Sequence, residues 1–205
     1  MKSRFRRPEG QRRYKKMFII VAEGTVTEQE YFQLLDDESI VRVRCLKNRK
    51  NLSPNEALLR VREHVRKESL EKTDEAWVVV DKDSWKEEHL DELHKWAQGR
   101  SNYGFALSNP KFEFWLLLHF EDAKGVGTSE QCSKKLAKHL PGYNKHVDRQ
   151  KFTHERIKAA TDRAKKRDTP PCAGWPRNTG TTVYKLVEKI LESGANRLAS
   201  TRRSR

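Results

Sequence analysis

Three cysteines in 205 residues, Cys45, Cys132 and Cys172, are odd in number and far apart, which excludes both a disulfide framework and a Cys-x-x-Cys zinc site. They point to a reducing compartment, and the chain is expected in the cytoplasm. His139, His146 and His154 near Cys132 match no standard zinc-ligand spacing. No apolar run approaches the roughly 20 residues of a membrane helix. The N-terminal stretch MKSRFRRPEGQRRYKK has the basic residues of a leader without its apolar core, so neither secretion nor a membrane partner is expected. The sequence also has no internal repeat, no GxxxxGK[ST] phosphate loop and no RNP-type RNA-binding signature.

What the chain does have is positive charge. Lys and Arg number 43 against 29 Asp and Glu, a net charge of +14 that concentrates polyanions at the surface and makes nucleic acid the natural partner. A basic protein that is merely soluble is the bland alternative. Hydrophobic residues make up 35% and aromatics 9%, enough to keep the chain out of the disordered class. The length suits one domain with an appendage.

Residues 1–16 read as a basic flexible arm. The run MFIIVA at 17–22 is short, continuous and β-branched, as in a strand covered on both faces. EGTVTEQEYFQLL follows, with Thr25 and Glu28 at capping-box spacing and Tyr31, Leu34 and Leu35 as an apolar stripe, so a helix is predicted after a very short loop. The unit then recurs. Residues 40–46 alternate as a strand, and Ser53-Pro54-Asn55-Glu56 opens a second helix reaching about Leu70 with Leu58, Val61 and Val65 inward. EAWVVVDKD is another buried strand, and Ser84 with Glu87 opens a third helix carrying Leu90, Leu93 and Trp96. YGFALS is a fourth strand. Asn109-Pro110 then starts the apolar helix KFEFWLLLHF, predicted to end near Glu121. Three further helical patterns, about 129–140, 153–166 and 181–192, precede the basic end TRRSR. The expected fold is α/β, a mostly parallel sheet flanked by helices, with the main unit at 17–121 and a C-terminal helical extension over 122–205.

Glu23 directly follows the first buried strand and Asp81 the third, so a parallel sheet brings both to its carboxyl edge, where such sheets bind ligands. Asp83 lies two residues on, on the same side if the chain stays extended, with Lys82 pointing away. A single acid after a strand more often bonds loop amides. Glu-Gly after one buried strand together with Asp-x-Asp after another points instead to a site, and clustered carboxylates favour a hard divalent cation, Mg2+ or Mn2+. Glu113, in the first turn of the apolar helix, has little polar surface around it and needs a partner, whether a metal or a lysine. His119 is a candidate proton relay, although a histidine among apolar residues is more often structural. Lys111 and Lys145 are candidates for offsetting phosphate charge.

EGTVTEQEYF, VVVDKD, SNPKFEFWLLLHF and RNTGTTVYKLVEKI together resemble the RloB-like family, a TOPRIM-related group, over roughly residues 17–194. The third motif is the specific one; the first two are shared by many TOPRIM proteins. The resemblance implies a TOPRIM-like nucleolytic domain at 17–121, with Glu23 matching the acid of the first motif, Asp81 and Asp83 the Asp-x-Asp of the second, and Glu113 the acid of the third. It implies a Mg2+-dependent endonuclease that hydrolyses nucleic acid, with RNA, tRNA in particular, favoured over DNA by analogy with related toxic effectors. It further implies an antiphage defence (abortive infection) role beside an ABC-type ATPase partner. Whether one or two ions act, and whether Glu23 ligates the metal or takes a proton from water, is left open. The alternative is a non-catalytic TOPRIM adaptor that binds nucleic acid within a defence complex. In the loop EGTVTE, valine stands where a polar or basic residue is common.

Overall fold

Apolar runs too short for helices and too continuous for an exposed sheet become the inner strands of a five-stranded sheet. The computed structural model of the protein describes residues 15–37, 40–68, 70–82 and 85–203. Most of the basic arm, Asp83 and Ser84 therefore lie outside the described residues. The strands are β1 (Met17–Ala22), β2 (Arg42–Cys45), β3 (Glu75–Asp81), β4 (Tyr103–Asn109) and β5 (Gly180–Thr181), in the order β2-β1-β3-β4-β5. The first four are parallel. β5 runs antiparallel on β4, with Ser108 opposite Thr181 and Asn109 opposite Gly180.

Helices cover both faces. On one, α2 (Pro54–Lys67) and α3 (Glu87–Gln98) bury Leu58, Val61, Leu90 and Leu93 against Ile19, Val21, Val78, Val80 and Leu107. On the other, α1 (Thr27–Gln33), α4 (Phe112–Leu117), α5 (Ser129–His139), α6 (His154–Arg167) and α7 (Val183–Arg203) share one hydrophobic cluster with Phe18, Ile20, Trp77, Val79 and Ala106. Alternate residues of each strand thus feed opposite cores, as the two-residue period of a strand requires. The predicted C-terminal helices form much of this second layer.

The local signals hold unevenly. Ser53 and Glu56 form the reciprocal capping box, with Pro54 at the first helical position. The box expected from Thr25 and Glu28 does not form: Val26 is the N-cap of α1 and no side chain caps it. α3 starts at Glu87 after Lys86. α4 ends at Leu117, earlier than expected, and gives way to turns through Phe120. α7 runs on to Arg203, into the basic end TRRSR.

A glycine fixes how the sheet packs near its middle. Gly104 on β4 pairs with Trp77 on β3, and an added Cβ would sit 2.3 Å from the indole ring. The ring is held there by Nε1 donating to Glu75 Oε2 at 2.9 Å, with the Lys189 ammonium over its face. Gly104→Ala is therefore expected to destabilise the fold by about 1–3 kcal/mol, the usual cost of overpacking. The check is thermal unfolding, in which each kcal/mol lowers Tm by roughly 2–4 °C for a chain of this size.

Candidate active site

From β1 the chain crosses to β2 on one side, while β3 lies on the other, so the carboxyl ends of β1 and β3 flank a switch point in the strand order. Glu23 and Asp81 stand there. The Glu23 amide donates to Val79 O at 2.9 Å, extending the β1–β3 ladder by one residue and fixing where its side chain starts. Its carboxylate turns onto β3, where Oε2 accepts from the Asp81 amide at 3.1 Å and Oε1 from the Trp85 indole at 3.2 Å.

The loop after β1 is anchored from the neighbouring strand. The Asn48 side-chain amide donates to Ala22 O (2.6 Å) and Gly24 O (3.2 Å), and the Leu52 amide donates to Glu23 O (3.0 Å). Gly24 leaves room in this turn for the end of the Glu28 side chain. A Cβ there would lie 2.1–2.6 Å from the carboxyl group of Glu28, which folds back over it. Glu28, assigned to a helix cap by its spacing, instead aims into the pocket and is only 7% exposed.

The result is a pocket of about 220 Å3 in which Glu23, Glu28, Asp81 and Glu113 converge with Lys145. The carboxylates disturb one another. Burial, reinforced by the Glu113 and Glu23 charges, pushes Glu28 up to about 7. Burial likewise raises Asp81 well above the usual carboxylate range, with the Glu28, Glu23 and Glu113 charges adding to it and the Phe112 amide opposing. Glu113 is different. It is 4% exposed, and burial works to raise it, but the Lys145 ammonium, which bonds its Oε1, holds it below its ordinary value.

Lys145 reaches the pocket from a distant loop pinned to α1. Its carbonyl accepts from Thr27 Oγ1 at 2.7 Å, and its backbone sits at φ 78°, the left-handed region. On either side of it, Tyr143 bonds Thr27 and Glu113, while Glu30 receives the Val147 amide and pairs with His146, both at 2.8 Å. Glu30 and Thr27 are thus the clamps that bring a loop more than a hundred residues away onto the site.

Of the expected residues, Glu23, Asp81, Glu113 and Lys145 come together, and Asp83 lies outside the described residues. Lys111 lies beyond Glu113 and donates to Ser133 Oγ at 2.7 Å. His119 does not face the pocket. It is 2% exposed among Tyr31, Trp115 and Phe152, with Nδ1 bonded to Trp115 O and Nε2 to the Tyr31 hydroxyl, and burial lowers it to about 3. A neutral imidazole satisfied at both nitrogens is part of the core. Among the described residues, no three His, Cys, Asp or Glu side chains are arranged to hold a metal ion. Glu113 is engaged by Lys145 and Glu23 by the Asp81 amide and Trp85. The donor set itself, carboxylate oxygens whose charges raise one another at Glu28 and Asp81, suits a hard divalent cation.

Among the described residues no helix is long and apolar enough to cross a membrane. In comparison with known proteins, a family model described as RloB-like protein matches residues 18–190. No curated protein and no solved structure matches.

Proposed function

The chain belongs to the RloB-like protein family, and from that premise we propose that it is a metal-dependent nuclease hydrolysing phosphodiester bonds in nucleic acid. The observation that carries this reading is the convergence of four carboxylates on the switch-point pocket, two of them raised by burial and by one another. Asp81, Asp83, Glu23 and Glu113 would hold the ion. Bound Mg2+ or Mn2+ supplies charge stabilisation for the phosphoryl oxygens and a more acidic water.

The protein's own groups do the remaining work. Glu28, poised near 7, is suited to accept the proton of the attacking water, with Glu23 as the other candidate. Lys145, bonded to Glu113 at the pocket, is the ammonium suited to offset charge on a bound phosphate. The net charge of +14 supports a polyanionic substrate. RNA, and tRNA within it, is proposed over DNA on family grounds, as are the antiphage role and the ABC-type ATPase partner. The chain's own sequence contains no nucleotide-binding P-loop.

One observation favours a second reading, a nucleic-acid-binding adaptor without activity: Lys145 seals Glu113, and the described carboxylates do not stand as a metal centre. Incubation of the purified protein with tRNA, mixed RNA and DNA in Mg2+, Mn2+ or EDTA, alone and with the proposed ABC-type ATPase partner, separates the two. Divalent-dependent cleavage that EDTA stops is expected. Tight binding with every substrate left intact in all conditions would favour the adaptor.

A further inference from the structure

The acidic pocket has room for a reacting phosphate but offers little to hold the rest of a polymer. A larger concavity of about 640 Å3 lies between the edge strand β2 and helix α2, lined by Arg44, Lys47, Arg60 and Lys67 together with Glu63 and Glu68. We infer that this groove is the track along which a nucleic-acid strand is held by its phosphates on its way to the pocket. The inference rests on the nuclease reading for its direction, and on the groove's own chemistry for its ligand.

Charge is distributed unevenly over this layer of the molecule. Residues 40–68 carry nine Lys and Arg against three Glu, whereas neighbouring α3 carries Glu87, Glu88, Asp91 and Glu92 against Lys95 alone. A polyanion is drawn to the α2 side and repelled from the α3 side. Arginines on an edge strand also serve simply to discourage strand pairing. That role accounts for Arg42 and Arg44, but not for the continuation of the basic lining onto Lys47, Arg60 and Lys67.

The two acids in the groove do not block it. Lys67–Glu63 (2.6 Å) and Arg44–Glu68 (3.1 Å) are exposed pairs. Exposed pairs of this kind contribute little, so phosphate oxygens compete well for the same cations. On α2, Arg60 and Lys67 are seven residues apart, about 10 Å along the helix, a row rather than a point.

The groove also connects to the chemistry. Arg60 donates to Lys47 O at 2.5 Å at its mouth, Asn48 next in sequence holds the loop after β1, and Asn51 lines the acidic pocket. Asn51 lies four positions after Lys47, a reach of at most about 14 Å, or about four nucleotides at the 3.4 Å rise of a stacked strand.

The test measures binding separately from cleavage. Short fluorescent single-stranded RNA, DNA of the same sequence and a duplex are titrated in EDTA over a range of salt, with wild type, Lys47→Glu/Lys67→Glu, Arg60→Gln and the control Lys95→Glu on α3. Losing two phosphate contacts should weaken single-strand binding about tenfold or more and flatten the log K against log salt slope by roughly 1.4. Arg60→Gln should lose about half that slope, and the control should bind as wild type does. Circular dichroism melting confirms that the variants fold, and Arg60→Gln, which reverses no charge, keeps the test intact if the double variant does not. Unchanged affinity and slope in both groove variants overturn the track, as does binding of an acidic protein there with no affinity for nucleic acid. Groove-dependent binding without any cleavage by wild type would uphold the track and defeat the nuclease reading. Cleavage that needs Asp81 but ignores the groove would do the reverse.

Discussion

Asp81→Asn and Glu23→Gln proteins are expected to bind nucleic acid and to lose divalent-dependent cleavage by about 10²- to 10⁴-fold, the range associated with removing a positioned acid–base group, and more if the ion itself is lost. Both substitutions are close to isosteric and keep the hydrogen bonds that shape the site. After Asp81→Asn the side-chain carbonyl can still accept from the Phe112 amide, and after Glu23→Gln it can still accept from the Asp81 amide or the Trp85 indole. What disappears is charge in a pocket where each carboxylate stands close enough to shift its neighbours. A structural role predicts little change in activity from such conservative replacements, because acids that merely bond loop amides are served equally by the amides. Gel-resolved cleavage with and without EDTA, alongside binding in EDTA, makes the comparison. Full activity in both variants would end the catalytic reading, whereas binding retained with cleavage lost would carry it.

The sheet was legible because its inner strands are buried on both faces and so cannot alternate: MFIIVA and EAWVVV read as strands without any partner in view. Glu23 and Asp81 followed from strand ends alone, since parallel pairing brings all carboxyl ends to one edge. β5 was not legible. Two residues carry no period, and Gly180 and Thr181 become a strand only because the end of β4 offers them a ladder. Glu28 was misread for a related reason, as its spacing from Thr25 fits a local cap while its burial depends on Gly24 and on the β3 edge. Lys145 was named only as a candidate for offsetting phosphate charge, with nothing in the sequence to place it beside Glu113. A lysine in a polar loop has no local signature, and it becomes part of the pocket through Thr27, Glu30 and Tyr143. The residues that sequence finds are those whose position is set by secondary structure; those it misses are set by contacts across the fold.

Glu28→Gln is expected to stabilise the protein at pH 8 and to flatten its dependence on pH. In the unfolded chain this carboxyl titrates near its ordinary 4.5, while in the folded pocket burial and the Glu113 and Glu23 charges raise it to about 7. Between those values the folded protein holds a proton that the unfolded chain has released. The contribution to stability is therefore whole below about pH 4.5 and is lost as pH rises through 7, leaving a buried charge that costs about 3 kcal/mol at pH 8 relative to the protonated form. Asp81, raised for the same reasons, works in the same direction, whereas Glu113, held low by Lys145, works oppositely, with its stabilisation lost as pH falls. Glutamine is neutral throughout and keeps the shape of the side chain over Gly24. At roughly 2–4 °C per kcal/mol for a chain of this size, the variant should melt about 6–12 °C above wild type at pH 8 and near it at pH 5. If the pocket also takes a divalent cation, Mg2+ should raise the wild-type Tm at pH 8 and do less for Glu28→Gln, because the charge it relieves is gone. Melting curves at the two pH values, each with Mg2+ and with EDTA, give all four comparisons. A wild-type Tm that ignores pH, beside a variant no more stable at pH 8, would mean that Glu28 bears no strained charge and that the carboxylates are not crowded into one site.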